Sequence, residues 1–123
     1  MKQPPKGTAE RIAKMRFDSV YPLYLQKVQK NERSESELKD VLCWLIGISQ
    51  DELDTLIDSD ITFGDLFAKV DINPNAHLIT GVICGYRIEE LRDPLIQRCR
   101  YMDKLVDELA RGKAISQILR EPS

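Results

Sequence analysis

The stretch DPLIQRCRYMDKLVDELARG, residues 93–112, decides the fold because it encodes one long helix with a single apolar face. Asp93 followed by Pro94 is a strong helix start, since an aspartate caps the first amides and proline fits the first helical turn. Gly112 predicts the end of the helix. Between them the apolar residues recur at steps of four, three, four and three, at Leu95, Cys99, Met102, Val106 and Leu109. The rest of the chain must cover this apolar face.

Four shorter helices are predicted before this one, each from an apolar pattern with a start signal. The start signals are Ser19, Ser34 or Ser36, the capping box of Ser49 and Glu52, and a weaker pair of Thr62 and Asp65. The first helix lies within Ser19 to Lys30, and its apolar residues are Val20, Leu23, Tyr24 and Val28. A last short helix over residues 114–119 returns isoleucines to the core. These helices need each other, because segments this short are unstable alone.

The segment between these helices is ambiguous. Asn73, Pro74 and Asn75 form a turn signal, and the following AHLITGVICG, residues 76–85, contains enough β-branched residues for a strand. No second convincing strand is present, so we favour a helix that is interrupted or ended by Gly81 and Gly85. The predicted fold is therefore all-α, a compact orthogonal bundle of about six short helices with one longer C-terminal amphipathic helix.

Composition indicates one soluble domain. The chain has 123 residues, of which 42% are hydrophobic and 31% charged, as in ordinary globular proteins. We expect a flexible leader over residues 1–8, a single helical domain over residues 9–120 and a tail over residues 121–123. The apolar runs are far shorter than the roughly 20 residues of a membrane span. The N-terminus lacks the pattern of a secretory signal, so we expect a cytoplasmic protein.

No catalytic or metal-binding constellation is evident. Cys84 and His77 are a conceivable nucleophile and base, but two helical turns would hold them about 10 Å apart, too far for a hydrogen bond. Cys43, Cys84 and Cys99 lack the paired spacing of a zinc site, and we expect buried, reduced thiols. The sequence therefore predicts no catalytic residues, no metal and no cofactor, and it favours a protein that is not an enzyme.

One segment has the residues of a small-anion site. Glycines allow backbone amides to approach a ligand, amide and hydroxyl side chains orient it, and an arginine pairs with a carboxylate or phosphate. The candidate residues are Asn73, Asn75, Thr80, Gly81, Gly85 and Arg87. The alternative is that these residues serve the local backbone, with the glycines allowing close helix packing. Turn and cap chemistry explains every one of them, so we favour the alternative.

Several strings resemble a small bacterial family, domain of unknown function twenty-two hundred. The similar strings are FDSVYPLYLQKVQKNER (residues 17–33), WLIGISQDEL (44–53), INPNAHLITGVICGYRIEELRDPL (72–95) and RYMDKLVDELARGKAISQIL (100–119). The resemblance covers nearly the whole chain from Phe17 to Arg120. It implies a helical, orthogonal-bundle fold and a bacterial cytosolic origin, and it implies no activity.

Charge is distributed unevenly along the chain. Residues 1–33 carry eight basic and three acidic side chains, whereas residues 34–72 carry two and ten. The helix that would enter a DNA groove, after Ser49, is rich in carboxylates, so nucleic-acid binding through the basic N-terminal third is a weak alternative. Our leading expectation is a non-catalytic domain that binds a protein partner or its own copy. The second is a small anionic metabolite-binding protein or cryptic enzyme that uses residues 73–87.

Overall fold

The computed structural model of the protein describes residues 2–121. Met1 of the expected leader and residues 122 and 123 of the expected tail lie outside this range. Within it are seven α-helices: α1 (Thr8–Lys14), α2 (Phe17–Lys30), α3 (Glu35–Ile46), α4 (Gln50–Ile57), α5 (Phe63–Lys69), α6 (Pro94–Ala110) and α7 (Ile115–Ile118). A hairpin of β1 (Val82–Ile83) and β2 (Tyr86–Arg87) lies between α5 and α6. Single 3₁₀ turns, Ala76–Leu78 and Ile88–Glu90, flank it. The predicted all-α bundle is confirmed.

The predicted helix starts are present as side-chain caps. Ser34 and Ser49 each form a capping box with the glutamate three residues later, and Thr62 accepts a hydrogen bond from the amide of Asp65. Asp93 accepts from the amides of Leu95 and Ile96, at 2.9 and 3.2 Å. Each cap satisfies an amide that has no partner within its helix. These four helices therefore begin where local chemistry places them.

The first two helices differ from the prediction. Helix α2 begins at Phe17, before Ser19, because the Phe17 amide donates to the carbonyl of Ile61 and fixes the chain there. Helix α1 was not predicted, since its seven residues bury only Thr8 and Ile12 and offer little periodicity. Both differences arise from packing against distant parts of the chain.

The expectation of a helix over residues 76–85 is wrong. After the 3₁₀ turn, the chain forms the antiparallel pairs Val82 with Arg87 and Ile83 with Tyr86. Cys84 and Gly85 join the strands with φ angles of 52° and 83°. Positive φ at both central positions is the geometry of the tight hairpin turns that match strand twist. The backbone at these two residues is thus left-handed, which a right-handed helix excludes.

Helix α6 lies at the centre of the bundle and packs against α1, α2, α3, α5 and α7. Of its predicted apolar face, Cys99, Met102, Val106 and Leu109 are buried, as predicted, whereas Leu95 is only partly buried. Residues 2–7 of the expected leader lie along the body of the protein, where the Gln3 side chain bonds to the backbone of Glu90 and Arg92. No helix among residues 2–121 is long and apolar enough to cross a membrane.

Candidate functional site

The asparagines of the predicted anion site form a local turn. The Asn73 side chain donates to the carbonyl of Trp44 at 3.1 Å and accepts from the amide of Asn75 at 2.9 Å. The backbone amide of Asn73 also donates to the carbonyl of Leu45. These contacts use the polar atoms of Asn73 to attach the turn to the end of α3. They leave its side chain little capacity for a ligand.

Two other candidates lie at the base of the β-hairpin. The Gly81 amide donates to the carboxylate of Glu89 at 3.1 Å, and the Gly81 carbonyl accepts from the amide of Ile88. Bonds to backbone amides, first that of Glu89 itself and then that of Gly81, lower the pKa of the Glu89 carboxyl. The Gly81 amide, which we expected to bind an external anion, therefore binds the carboxylate of Glu89. The side chain of Thr80, another of the predicted residues, is exposed.

The remaining candidates, Gly85 and Arg87, lie at the turn and on the second strand of the hairpin, and both are exposed. No hydrogen bond between described residues joins them to the Asn73 turn. The structure thus brings the predicted residues together in two local groups, the Asn73/Asn75 turn and the hairpin with Gly81, Gly85 and Arg87.

The cysteines and the histidine form no reactive pair. His77 is exposed and its Nδ1 lies 2.8 Å from the carbonyl oxygen of Pro74, whereas Cys84 occupies the hairpin turn. The expectation of three buried thiols is wrong, because Cys84 is exposed and Cys43 is only partly buried. No group of three or more metal-binding side chains occurs within residues 2–121.

A groove between α1, α2 and α6 is distinguished from the other cavities by exposed apolar side chains in its lining. Its volume is about 280 Å³. The groove is lined by residues of four segments: Arg11, Ile12 and Met15 at α1 and its C-terminal end, Val20, Leu23 and Tyr24 of α2, Phe63 of α5, and Cys99, Arg100 and Asp103 of α6. We call this the α1–α2–α6 groove. Its floor is apolar, because Ile12, Phe63 and Cys99 are buried in the core beneath it.

Large apolar side chains stand exposed at the edge of the groove. Leu23 is 62% exposed and Met15 is 43% exposed. Sequence reasoning placed Leu23 on the buried side of α2 and missed this feature. The residues that α2 buries are Phe17, Tyr21, Tyr24 and Val28, which recur at steps of four, three and four. That stripe excludes Leu23, so a stricter reading of the period would have found it.

A network of three polar side chains closes one end of the groove. The Tyr24 hydroxyl donates to Asp103 Oδ1 at 2.5 Å, and Arg100 Nη1 donates to Asp103 Oδ2 at 2.7 Å. Arg100 also donates to the Cys84 sulfur of the hairpin at 3.6 Å. The carboxylate of Asp103 is thus bonded by both a phenol and a guanidinium. This end of the groove is polar, and its charges are paired within the protein.

Two titratable groups beside the groove, the Tyr24 hydroxyl and the Cys99 thiol, have raised pKa values. Burial, together with the nearby Asp103 carboxylate, raises the pKa of the Tyr24 hydroxyl well above its usual value of 10. Burial also raises the pKa of the Cys99 thiol to about 12. Both groups therefore keep their protons near neutral pH, whereas a catalytic base or thiolate must lose one.

Two further cavities are less suited to a partner. One, of about 290 Å³, lies between the α3–α4 turn and the end of α5, where the carboxylate of Glu52 is engaged in its capping box. The other, of about 320 Å³, lies between residues 3–10 and the start of α6. Neither has an exposed large apolar side chain of the kind that Leu23 provides at the groove.

The fold and the site define a small helical protein with an apolar groove between α1, α2 and α6. A family model described as "Uncharacterized protein conserved in bacteria (DUF2200)" matches residues 11–120, and the chain belongs to this family. A solved structure, described as the crystal structure of uncharacterized protein SP1917, is 36% identical to it. The match has a TM-score of 0.85 and covers 93% of this chain and 97% of the other. Among curated proteins, none is similar enough to count as a match.

Proposed function

We propose that this protein is a non-catalytic binding domain of the bacterial cytoplasm that engages a protein, either another chain or a second copy of itself, through the α1–α2–α6 groove. The observation that carries the proposal is Leu23, the most exposed large apolar side chain of the described residues, beside a cavity with an apolar floor. Exposed apolar surface next to a concave site is a common mark of a protein interface.

Two further observations support this proposal. Cys43, Cys84 and Cys99 are all free thiols, as is usual for proteins of a reducing compartment such as the cytoplasm. Within the Tyr24, Asp103 and Arg100 network, both oxygens of the Asp103 carboxylate accept hydrogen bonds from the protein's own side chains.

The proposal is tested by exchanging Leu23 for aspartate. Sedimentation over a range of concentrations measures self-association, and photo-crosslinking from the neighbouring Met15 position in bacterial cells detects a different partner. Leu78→Asp is the matched control, because Leu78 is also exposed, at 46%, but lies outside the groove. We expect Leu23→Asp to abolish the association or crosslink that Leu78→Asp preserves. A protein that stays monomeric and forms no Leu23-dependent crosslink would contradict the proposal.

A specific contact favours a second candidate, the binding of a small anion at the hairpin. The Gly81 amide already holds the carboxylate of Glu89, and Arg87 lies close enough to influence that carboxylate. A small carboxylate or phosphate could take the place of Glu89. A thermal-shift screen with a metabolite library tests this candidate, using wild type, Glu89→Ala and Arg87→Ala. A ligand that stabilises Glu89→Ala most and Arg87→Ala least supports it, and silence across the library counts against it.

A further inference from the structure

We infer that the partner of the α1–α2–α6 groove is an acidic amphipathic segment of another protein, which inserts one large apolar side chain between Leu23 and Met15 and pairs its carboxylates with Arg11 and Lys14. This inference rests on the proposed function and adds the chemistry of the partner.

The size of the groove limits what can enter it. A volume of about 280 Å³ is at the lower end of ligand pockets and holds one large side chain. The floor below is made of buried Ile12 and Phe63, which an apolar group would contact. At the polar end, Asp103 is bonded by Tyr24 and Arg100, and Arg100 Nε, which has no hydrogen-bond partner among the described residues, is buried away from the groove surface. An apolar anchor therefore fits the groove better than a polar one.

The uncompensated charge around the groove is positive. Asp103 is the one carboxylate in the lining, and its charge is balanced by Arg100 at 2.7 Å. Arg11 is exposed and forms no ion pair with any described residue. Glu10, its neighbour in sequence, instead lines the cavity between residues 3–10 and the start of α6. A partner with carboxylates is thus complementary to this edge of the groove.

Basic residues continue on both sides of the apolar edge. Lys14 is exposed on α1 immediately before Met15 and has no ion pair among the described residues. On α2, Lys27 and Lys30 follow Leu23 at four and seven residues, which places them on the same side of the helix. Lys30 is exposed and also lacks an ion pair there, while Lys27 contacts Asp107 at 3.2 Å. The edge therefore matches a segment with an apolar centre and acidic residues on each side.

A second copy of this chain is a weaker match. Its most acidic helix, α4, carries Asp51, Glu52 and Asp54, but its large apolar residues Leu53 and Leu56 are buried. It has the carboxylates without a free apolar side chain to insert. This difference favours another protein as the occupant.

The experiment is a selection of random peptides of about twelve residues on the intact protein, followed by affinity measurement of the selected peptides by fluorescence anisotropy. We expect the selected peptides to combine a leucine, phenylalanine or tryptophan with aspartate or glutamate. Leu23→Ser should weaken them about tenfold, the value of burying one large apolar side chain. Arg11→Glu should weaken them several-fold, with a smaller salt dependence than wild type. Leu78→Ser and Arg87→Glu, whose residues lie outside the groove, are the matched controls.

The other outcomes overturn the inference. Neutral or basic peptides that depend on Leu23 but not on Arg11 would overturn the chemistry of the partner and leave the proposed groove in place. Failure to select any Leu23-dependent peptide, with Leu23-dependent binding to vesicles of equal parts phosphatidylcholine and phosphatidylglycerol, would assign the surface to a membrane. Leu23-dependent dimerisation in sedimentation would assign it to a second copy. The thermal melt of Leu23→Ser confirms that the variant is folded.

Discussion

Gly47 occupies a backbone position that only glycine fits. It ends α3 with a φ of 67°, and a Cβ atom placed on it would lie 2.5 Å from the carbonyl oxygen of Asp71. We expect Gly47→Ala to lower the free energy of unfolding by at least about 2 kcal/mol, because left-handed strain and displacement of the Asp71 backbone add together. Urea denaturation measures the loss.

Gly112→Ala is the control for this effect. Gly112 has a φ of 91° but open space around its Cβ position. This variant retains only the strain, and we expect a loss of about 1 kcal/mol. Equal losses for the two variants would show that the contact with Asp71 has no part in the requirement for glycine.

At the scale of single residues, the sequence predicts caps well and exposure poorly. Ser49 and Asp93 cap their helices as expected, because a cap depends on the residue and the three that follow it. Leu23 and Cys84 were both expected to be buried, and both are exposed. Burial depends on which neighbours the fold supplies, so it is not contained in a residue's local sequence.

The start of α3 joins a capping box to an ion pair. Glu37 accepts from Arg33 at 2.8 Å and from the Ser34 amide at 3.0 Å. The hydrogen bond from Arg33, and then that from the Ser34 amide, lowers the pKa of Glu37 from 4.5 to about 2. A carboxyl whose pKa is lower in the folded state stabilises the protein above its unfolded pKa. This contribution is complete above pH 4.5 and is lost as the pH falls through 2.

We therefore expect the urea midpoint of wild type to fall between pH 4.5 and pH 2 more steeply than that of Glu37→Gln. The amide of glutamine cannot titrate, so this variant lacks the contribution at every pH. Glu32→Gln is the matched control, because Glu32 is exposed in the turn before α3 and forms no ion pair with a described residue. Parallel curves for wild type and Glu37→Gln would contradict the assignment.

A nearly buried ion pair attaches the C-terminal residues to α6. Arg120 contacts both carboxylate oxygens of Glu108, at 2.6 and 2.8 Å, and Glu108 also lies 3.5 Å from Lys113. We expect Arg120→Met to lower the free energy of unfolding by about 2 kcal/mol, because it leaves the Glu108 carboxylate poorly paired. The double variant Glu108→Leu/Arg120→Met should recover most of this loss, since it leaves no buried charge.

A double-mutant cycle in urea measures the coupling between the two residues. Lys113→Met provides the comparison, because the Lys113 side chain is 39% exposed and its loss should cost about 0.5 kcal/mol. Additive losses in the double variant would mean that Glu108 and Arg120 act independently, contrary to this expectation.

At the scale of elements, length decides what the sequence can predict. Helix α6 has seventeen residues, enough to show its period, whereas each strand of the hairpin has two. Two residues show no alternation, so no strand signal opposed the helix that we favoured over residues 76–85. The hairpin turn is formed by Cys84 and Gly85, which both have positive φ. Because a cysteine rarely adopts this left-handed conformation, the pair did not indicate a turn in the sequence.

At the scale of the molecule, the groove joins parts of the chain that lie far apart in sequence. Met15, Leu23, Phe63 and Asp103 belong to four segments, and only the packing of α1, α2 and α5 on α6 brings them together. The segment singled out from sequence, residues 73–87, was continuous because a sequence pattern reveals neighbours along the chain. A site built across helices requires the tertiary structure.

The side chains of Gln3 and Lys2 attach the N-terminal segment to the molecule, Lys2 through its ammonium group 5.0 Å from the centre of the Tyr86 ring. Gln3 donates to the carbonyl of Glu90 at 2.7 Å and accepts from the amide of Arg92 at 3.1 Å, 87 and 89 residues away. We expect Gln3→Ala to speed hydrogen exchange at the Arg92 amide and to lower the free energy of unfolding by about 1 kcal/mol. The backbone amide of Gln97, which donates to the Asp93 carbonyl at the start of α6, should exchange as in wild type. If the Arg92 amide exchanged equally fast in both proteins, the Gln3 side chain would not hold the N-terminal segment against the protein.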